Sequence, residues 1–172
     1  MLKAAGSILI IAATTLWGMR AAERVREQYE QMRLLQSVLY ALRGEILYAR
    51  SYLGEAFAKI GSSSPEPYRK WLTEISGAMD QKSGMPFWKI WEDGGRLHLK
   101  DSGLPERDRC RLEELGRHLG NTDLESQLRS MDLYLNELGK SMEEKREGMK
   151  TRVRLCHCLG VMSGIFIAIL LI

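Results

Sequence analysis

The segment from residue 35 to residue 60, LQSVLYALRGEILYARSYLGEAFAKI, decides the fold because its apolar residues recur every three or four positions. This spacing places them on one face of an α-helix. The apolar stripe consists of Leu35, Val38, Leu39, Leu42, Ile46, Ala49, Leu53, Phe57 and Ile60. It predicts one long amphipathic helix that begins near Glu23 and stops at Gly61, where GSSSPEP supplies two prolines that a helix interior does not tolerate. Within it, Gly44 costs about 1 kcal/mol of helix stability relative to alanine.

Shorter helices are predicted after this proline-rich turn. One runs from Tyr68 to about Lys82, and the next begins at Pro86, because proline suits the first turn of a helix. Gly94 and Gly95 mark a further break. The side chains expected to pack in the core from this region are Trp71, Leu72, Ile75, Met79, Phe87, Trp88, Ile90 and Trp91.

Two more helices complete the prediction. Pro105 opens a helix that bears Leu112, Leu115 and Leu119 and ends at Gly120. Thr122 or Asp123 can cap the last helix. Its apolar residues, spaced by about 3.5 positions, are Leu124, Leu128, Met131, Leu135, Leu138 and Met142. Few segments show the alternation typical of strands, so the fold class is all-α: a helical bundle of about five to six helices.

Both ends of the chain are apolar. Residues 1–19 read MLKAAGSILIIAATTLWGM and residues 155–172 read LCHCLGVMSGIFIAILLI, and neither run contains an acidic residue. Eighteen helical residues span about 27 Å, close to the hydrocarbon thickness of a bilayer. We therefore predict transmembrane helices at 1–19 and 155–172, a helical domain at 20–154, and long first and last helices that continue into the spans.

Positive charge flanks both apolar runs on the side of the middle domain. The flanking residues are Arg20, Arg24, Arg26 and Arg33 after the first run, and Lys140, Lys145, Arg146, Lys150, Arg152 and Arg154 before the second. The positive-inside rule then predicts a cell membrane protein with two spans, whose middle domain lies in the cytoplasm. The alternative for the first run is a cleaved signal peptide, since Lys3 precedes an apolar stretch, but Arg20 falls where cleavage would be needed.

Composition and motifs argue against catalysis and against nucleic acid as a partner. The net charge of +3 comes from 25 basic and 22 acidic residues, which is balanced. Three cysteines make no disulfide framework. Cys156, His157 and Cys158 are adjacent, and neighbouring helical side chains point about 100° apart, so they cannot all face one metal ion. No phosphate-binding glycine motif occurs. We predict no enzymatic activity, no cofactor and no metal.

Several segments together resemble one known family. They are MLKAAGSILIIAATTLWG at the start, LRGEILY at 42–48, LGEA at 53–56, Trp91-Glu92, and LGNTD at 119–123 with Gln127 downstream. In this order, over nearly the whole chain, they resemble the stage III sporulation protein AB family of endospore-forming bacteria. The family's soluble domain is similar to the helical cytoplasmic domains of platform protein F of type II secretion.

The resemblance implies a function and a partner. It implies a mother-cell membrane protein in the complex that joins mother cell and forespore, where it acts as a platform or scaffold. The implied partners are a cytoplasmic ATPase encoded in the same operon and other membrane components of the complex. On the long helix, Glu45 and Glu55 lie beside the apolar stripe and should be reachable from water. With Tyr48 they form the predicted partner-binding surface.

Two other functions remain as alternatives. A membrane-tethered sensor or regulator without enzymatic activity could transmit a signal through its long helices, but it should possess a ligand pocket or an outer domain. A small membrane enzyme would depend on Cys156, His157 and Cys158. Replacing both cysteines by serine separates the enzyme from the other two functions.

Overall fold

The computed structural model describes residues 2–49, 52–81, 84–120 and 123–171, with few side chains described in 2–22 and 149–171. These residues form six α-helices and one π-helical turn, and none of them lies in a strand. The elements are α1 (Leu2–Gly44), the π turn (Glu45–Ala49), α2 (Leu53–Ser63), α3 (Tyr68–Asp80), α4 (Phe87–Leu99), α5 (Glu106–Leu119) and α6 (Leu124–Leu171). The all-α helical bundle predicted from the sequence is confirmed.

The chain divides into two compact units. Residues 30–142 form the bundle, and residues 1–29 with 143–172 form the other unit. In the second unit α1 and α6 stay helical through both apolar runs. Among the described residues, no helix combines the length and apolar character that crossing a membrane requires. Most side chains of the two apolar runs lie outside those residues, so the two spans stay a prediction.

Within the bundle, successive helices reverse direction. Tyr68 Oη donates to the carbonyl oxygen of Gln31 at 2.9 Å, so α3 begins beside the first bundle turns of α1. At its other end, Ser76 Oγ donates to the carbonyl oxygen of Gly54 at 2.9 Å, so α3 ends beside the start of α2. Phe87, which opens α4, stacks on Phe57 of α2 with ring centroids 5.8 Å apart. The π turn and the connections after α3 and α5 therefore share one end of the bundle.

Aromatic side chains form the centre of the core. Trp71 and Trp91 are fully buried and meet edge to face, with ring centroids 4.6 Å apart. Trp91 Nε1 donates to the carbonyl oxygen of Leu112 at 2.7 Å, which joins α4 to α5. Gly116 allows this contact, because a methyl group built there would lie 2.2 Å from Trp91 Cδ1. Glycine at this position lets α5 pack directly against the indole.

The single long helix predicted from residue 23 to residue 61 is wrong. Helix α1 ends at Gly44, and the π turn follows it up to Ala49. Helix α2 begins at Leu53 and extends past Gly61 to Ser63. The stripe nevertheless faces the core, since Leu35, Leu42 and Phe57 are all buried. A break is favoured because it turns α2 back so that Phe57 packs on α4, whereas a straight helix would leave Phe57 in water.

Two predictions for α4 are also wrong. Gly94 and Gly95 lie inside the helix and are buried, because Trp71 packs against them: a methyl group on Gly94 would lie 3.2 Å from Trp71 Cδ1. Trp88 was expected in the core, yet 43% of its surface is exposed. Its neighbours Phe87, Ile90 and Trp91 occupy the inward face of α4 and leave Trp88 outside it.

Candidate docking surface

The structure brings the predicted acidic residues to one end of the bundle but gives them different roles. Glu45 opens the π turn, and its Oε1 accepts a bond from Lys59 Nζ at 2.6 Å. Only 21% of the Glu45 side chain is exposed, and its charge is compensated by Lys59 of the same chain. Glu55, one helical turn before Lys59, is exposed in the first turn of α2. The prediction that both are reachable from water therefore describes Glu55 better than Glu45.

Tyr48 belongs to the π turn by its backbone, but its side chain lies outside the described residues. The turn itself is informative, because π-helical turns are rare and are frequently found at functional sites. Here the turn ends α1 and is followed by the exposed Tyr52, which precedes α2. A backbone hydrogen bond from Glu55 N to the Tyr52 carbonyl oxygen, 2.9 Å long, starts α2 at this point.

Three connections meet at this end of the bundle. A methyl group built on Gly54, at the start of α2, would lie 3.6 Å from Asp80 Oδ1, at the end of α3. A methyl group built on Gly120, after α5, would lie 3.4 Å from Phe87 Cβ, at the start of α4. Gln31, near the start of the bundle part of α1, instead contacts Tyr68 at the other end of α3. Segments far apart in sequence thus form one surface.

Large apolar side chains are exposed on this surface. Tyr52 is 59% exposed, Met85 47%, Trp88 43% and Leu124 40%. Exposed carboxylates lie in the same connections. We call this surface the distal face and define it by Tyr52, Glu55, Asp80, Met85, Trp88, Asp123, Leu124 and Glu125. Trp, Tyr and Met are among the residues enriched at the centres of protein interfaces, and the exposed carboxylates of this face attract basic side chains of a partner.

The partner-binding surface predicted from the sequence includes Glu55 but none of the apolar residues of the distal face. The signal for Trp88 was available, since Phe87, Ile90, Trp91 and Gly94 make one helical stripe that excludes it. Tyr52, Met85 and Leu124 lie next to helix boundaries, where periodicity does not report which side is buried. These three residues share one end of the bundle only because helices that are distant in sequence pack against each other.

The described residues contain no group of three or more His, Cys, Asp or Glu side chains that could hold a metal ion. Cys110 and Cys158 are exposed free thiols. The side chains of Cys156 and His157 lie outside the described residues, so the structure does not test the adjacent cysteine and histidine residues there. The absence of enzymatic activity and of a cofactor stays a prediction from the sequence.

Comparison with known proteins identifies the family. The model of the stage III sporulation protein AB family matches residues 3–172. The chain belongs to this family. Stage III sporulation protein AB of Bacillus subtilis (strain 168) is 28% identical over 178 residues, which cover 99% of each chain. The resemblance inferred from the sequence motifs is therefore confirmed.

A solved structure of a stage III sporulation protein AB supports the fold. It superimposes with a TM-score of 0.66 and 24% sequence identity, and the match covers 72% of this chain and 97% of the solved one. At this level of identity the likeness concerns the fold alone. It supports the arrangement of helices from which the distal face is built.

Proposed function

We propose that this member of the stage III sporulation protein AB family is a membrane-anchored platform component of the complex that links mother cell and forespore. In this role it docks a cytoplasmic ATPase, encoded in the same operon, to the other membrane components. The distal face is the docking surface. Family membership and the exposed aromatic and acidic side chains of the distal face support the proposal.

The observation that carries the proposal is the exposure of Trp88 and Tyr52 on one end of the bundle. Exposed single apolar residues are ordinary on protein surfaces, but several large exposed apolar side chains at one end of a bundle are typical of interaction sites. Truncation of such aromatic anchors commonly costs more than about 1 kcal/mol of binding energy. The carboxylates of Glu55 and Asp80 add attraction for basic side chains and guide the encounter more than they add affinity.

The proposed membrane anchor lies at the two ends of the chain. Glu30 and Met142 are the first and last residues of the bundle unit. Helix α1 begins at Leu2 and α6 ends at Leu171, so each of these helices contains one apolar run and part of the bundle. With the arginine and lysine residues that flank these runs, we infer two spans in the cell membrane and a bundle in the mother-cell cytoplasm.

Binding of the ATPase to variants of the full chain tests this function. We expect the Tyr52→Ala and Trp88→Ala variants each to weaken binding by about tenfold, because each removes an aromatic anchor. Glu55→Ala should weaken binding less, and its effect should fade at high salt because the carboxylate is exposed. The matched control is Leu97→Ala, since Leu97 is 68% exposed but lies toward the other end of α4. Equal binding by Trp88→Ala and Leu97→Ala would contradict the docking role of the distal face.

Glu45 offers a second test with a different expected result. Its carboxylate bonds Lys59 at 2.6 Å, so replacing it by alanine releases an ammonium group beside Glu55. We expect Glu45→Ala to weaken ATPase recruitment and Glu45→Ala/Lys59→Ala to restore part of it, because the second change removes the uncompensated positive charge. If both variants bind like the wild-type chain, this ion pair takes no part in docking.

A further inference from the structure

A groove runs between α5 and α6 on the side of the bundle. It has a volume of about 300 Å³, and its floor is formed by Leu115 and Tyr134, which are both buried. The lining residues of each helix are spaced i, i+3, i+4 and i+7, so each wall is one continuous ridge two turns long. On the α6 wall stands Leu133, with 63% of its surface exposed. An apolar side chain that points into water beside an apolar floor suggests a missing neighbour.

Charges along the groove are unevenly compensated. Arg111 Nε lies 3.3 Å from Glu137 Oε2, so these two residues neutralise each other across the groove. Glu114, on the α5 wall, is exposed and forms no ion pair with a described residue. Arg129 is exposed on α6, one helical turn before Leu133, and likewise pairs with no described residue. The groove therefore offers a carboxylate beside an apolar floor, and the neighbouring face of α6 offers a guanidinium beside an apolar side chain.

We propose that the occupant of this groove is a second copy of this chain. In the dimer, Leu133 of each copy packs into the groove of the other, and Arg129 pairs with Glu114 of the partner. One surface carries both halves of the complementarity, which is the condition for a closed two-fold interface.

The groove offers only a small contact to a second copy. Two helical turns span about 10 Å, so the contact is small beside the roughly 800 Å² per partner of a standard interface. We therefore expect a weak dimer, and at low concentration in solution only a small fraction of the chains is dimeric. If the apolar ends lie in one membrane, confinement raises the effective concentration and favours association without any new contact.

Charge reversal and mixing test the proposal on the full chain in detergent micelles. Donor-labelled and acceptor-labelled copies are titrated, and energy transfer reports association. We expect Glu114→Arg and Arg129→Glu each to weaken self-association by about tenfold, because each places two pairs of like charges in the interface. A mixture of the two variants should associate like the wild-type chain, because both interface pairs are then opposite in sign.

Leu133→Asp provides the apolar test, with Leu97→Asp as its control. Both leucines are exposed, so neither change should impair folding, which circular dichroism verifies. We expect Leu133→Asp to abolish the association seen for the wild-type chain and Leu97→Asp to leave it unchanged. A wild-type chain that stays monomeric at every concentration reached, a mixture that fails to associate, or equal effects of the two leucine variants would each overturn the proposal.

Discussion

Gly116→Ala is the substitution whose effect the structure defines most closely. The added methyl group would lie 2.2 Å from Trp91 Cδ1, 2.5 Å from Cγ and 2.8 Å from Nε1. Ordinary contacts between carbon atoms are about 3.5–4.0 Å, so either α4 and α5 separate or the indole turns. The indole cannot turn freely, because Trp91 is 1% exposed and contacts Phe57, Trp71 and Phe87.

The magnitude follows from three contributions. Overpacking a filled core costs about 1–3 kcal/mol. Breaking the 2.7 Å bond from Trp91 Nε1 to the Leu112 carbonyl leaves a buried donor, which costs about 1–3 kcal/mol. Alanine in place of glycine returns about 1 kcal/mol of helix propensity. The expected net loss in the free energy of unfolding is therefore about 3 kcal/mol.

Urea unfolding of the full chain in mild detergent, followed by circular dichroism, measures this loss. The matched control is Gly77→Ala in α3, where a methyl group meets nothing within 4 Å, so a gain of about 0.5–1 kcal/mol is expected. A double-mutant cycle with Trp91→Ala isolates the clash, because Gly116→Ala should no longer destabilise a chain that lacks the indole. If Gly116→Ala unfolds within about 0.5 kcal/mol of the wild-type chain, the close packing of α5 on Trp91 is refuted.

Two further predictions concern stability. Asp123 Oδ2 accepts a hydrogen bond from Ser126 N at 3.0 Å and so caps α6; Asp123→Ala should lower the free energy of unfolding by about 1 kcal/mol, measured by urea unfolding. Burial raises the pKa of the Tyr68 hydroxyl and of the Tyr134 hydroxyl, and near Tyr134 the charge of Asp108 adds to the increase. Above about pH 10 the unfolded chain loses these protons while the folded chain keeps them, so stability should fall as pH rises. Tyr68→Phe should make that fall shallower. If the free energy of unfolding of this variant falls between pH 8 and pH 11 as steeply as that of the wild-type chain, the burial argument is contradicted.

Periodicity predicted which faces are buried but not where helices bend. Leu35, Leu42, Phe57 and Ile60 all lie in the core, as their spacing indicates. Spacing alone is the same for a continuous helix and for two helices that pack back on each other. The break after Gly44 depends on contacts of α2 with later segments, such as the bond from Ser76 Oγ to the Gly54 carbonyl, and a local pattern does not contain them.

Predicting helix ends from glycines succeeded only in part, for a related reason. Gly120 ends α5, as predicted, because the chain turns there into α6. Gly94 and Gly95 also interrupt the pattern but lie inside α4, where Trp71 leaves little room for a side chain on Gly94. Whether a glycine marks a turn or a close helix contact depends on the neighbouring helix, which the sequence near the glycine does not specify.

The candidate site was only partly predictable. Glu55 lies on the distal face, as expected for a solvated charge beside an apolar stripe. Glu45 instead bonds Lys59, a residue of α2 that reaches it only because the helix breaks between them. The aromatic part of the distal face arises where three connections meet, so it follows from the folded arrangement and from no single motif.

Photo-crosslinking in sporulating cells shows whether the distal face contacts the ATPase. A photoreactive amino acid replaces Trp88 in the full chain, and a second version carries it at Leu97 as the matched exposed position. We expect a crosslink from position 88 to the cytoplasmic ATPase of the operon and none from position 97. No crosslink to the ATPase from position 88, or equal crosslinking from both positions, would contradict docking through the distal face.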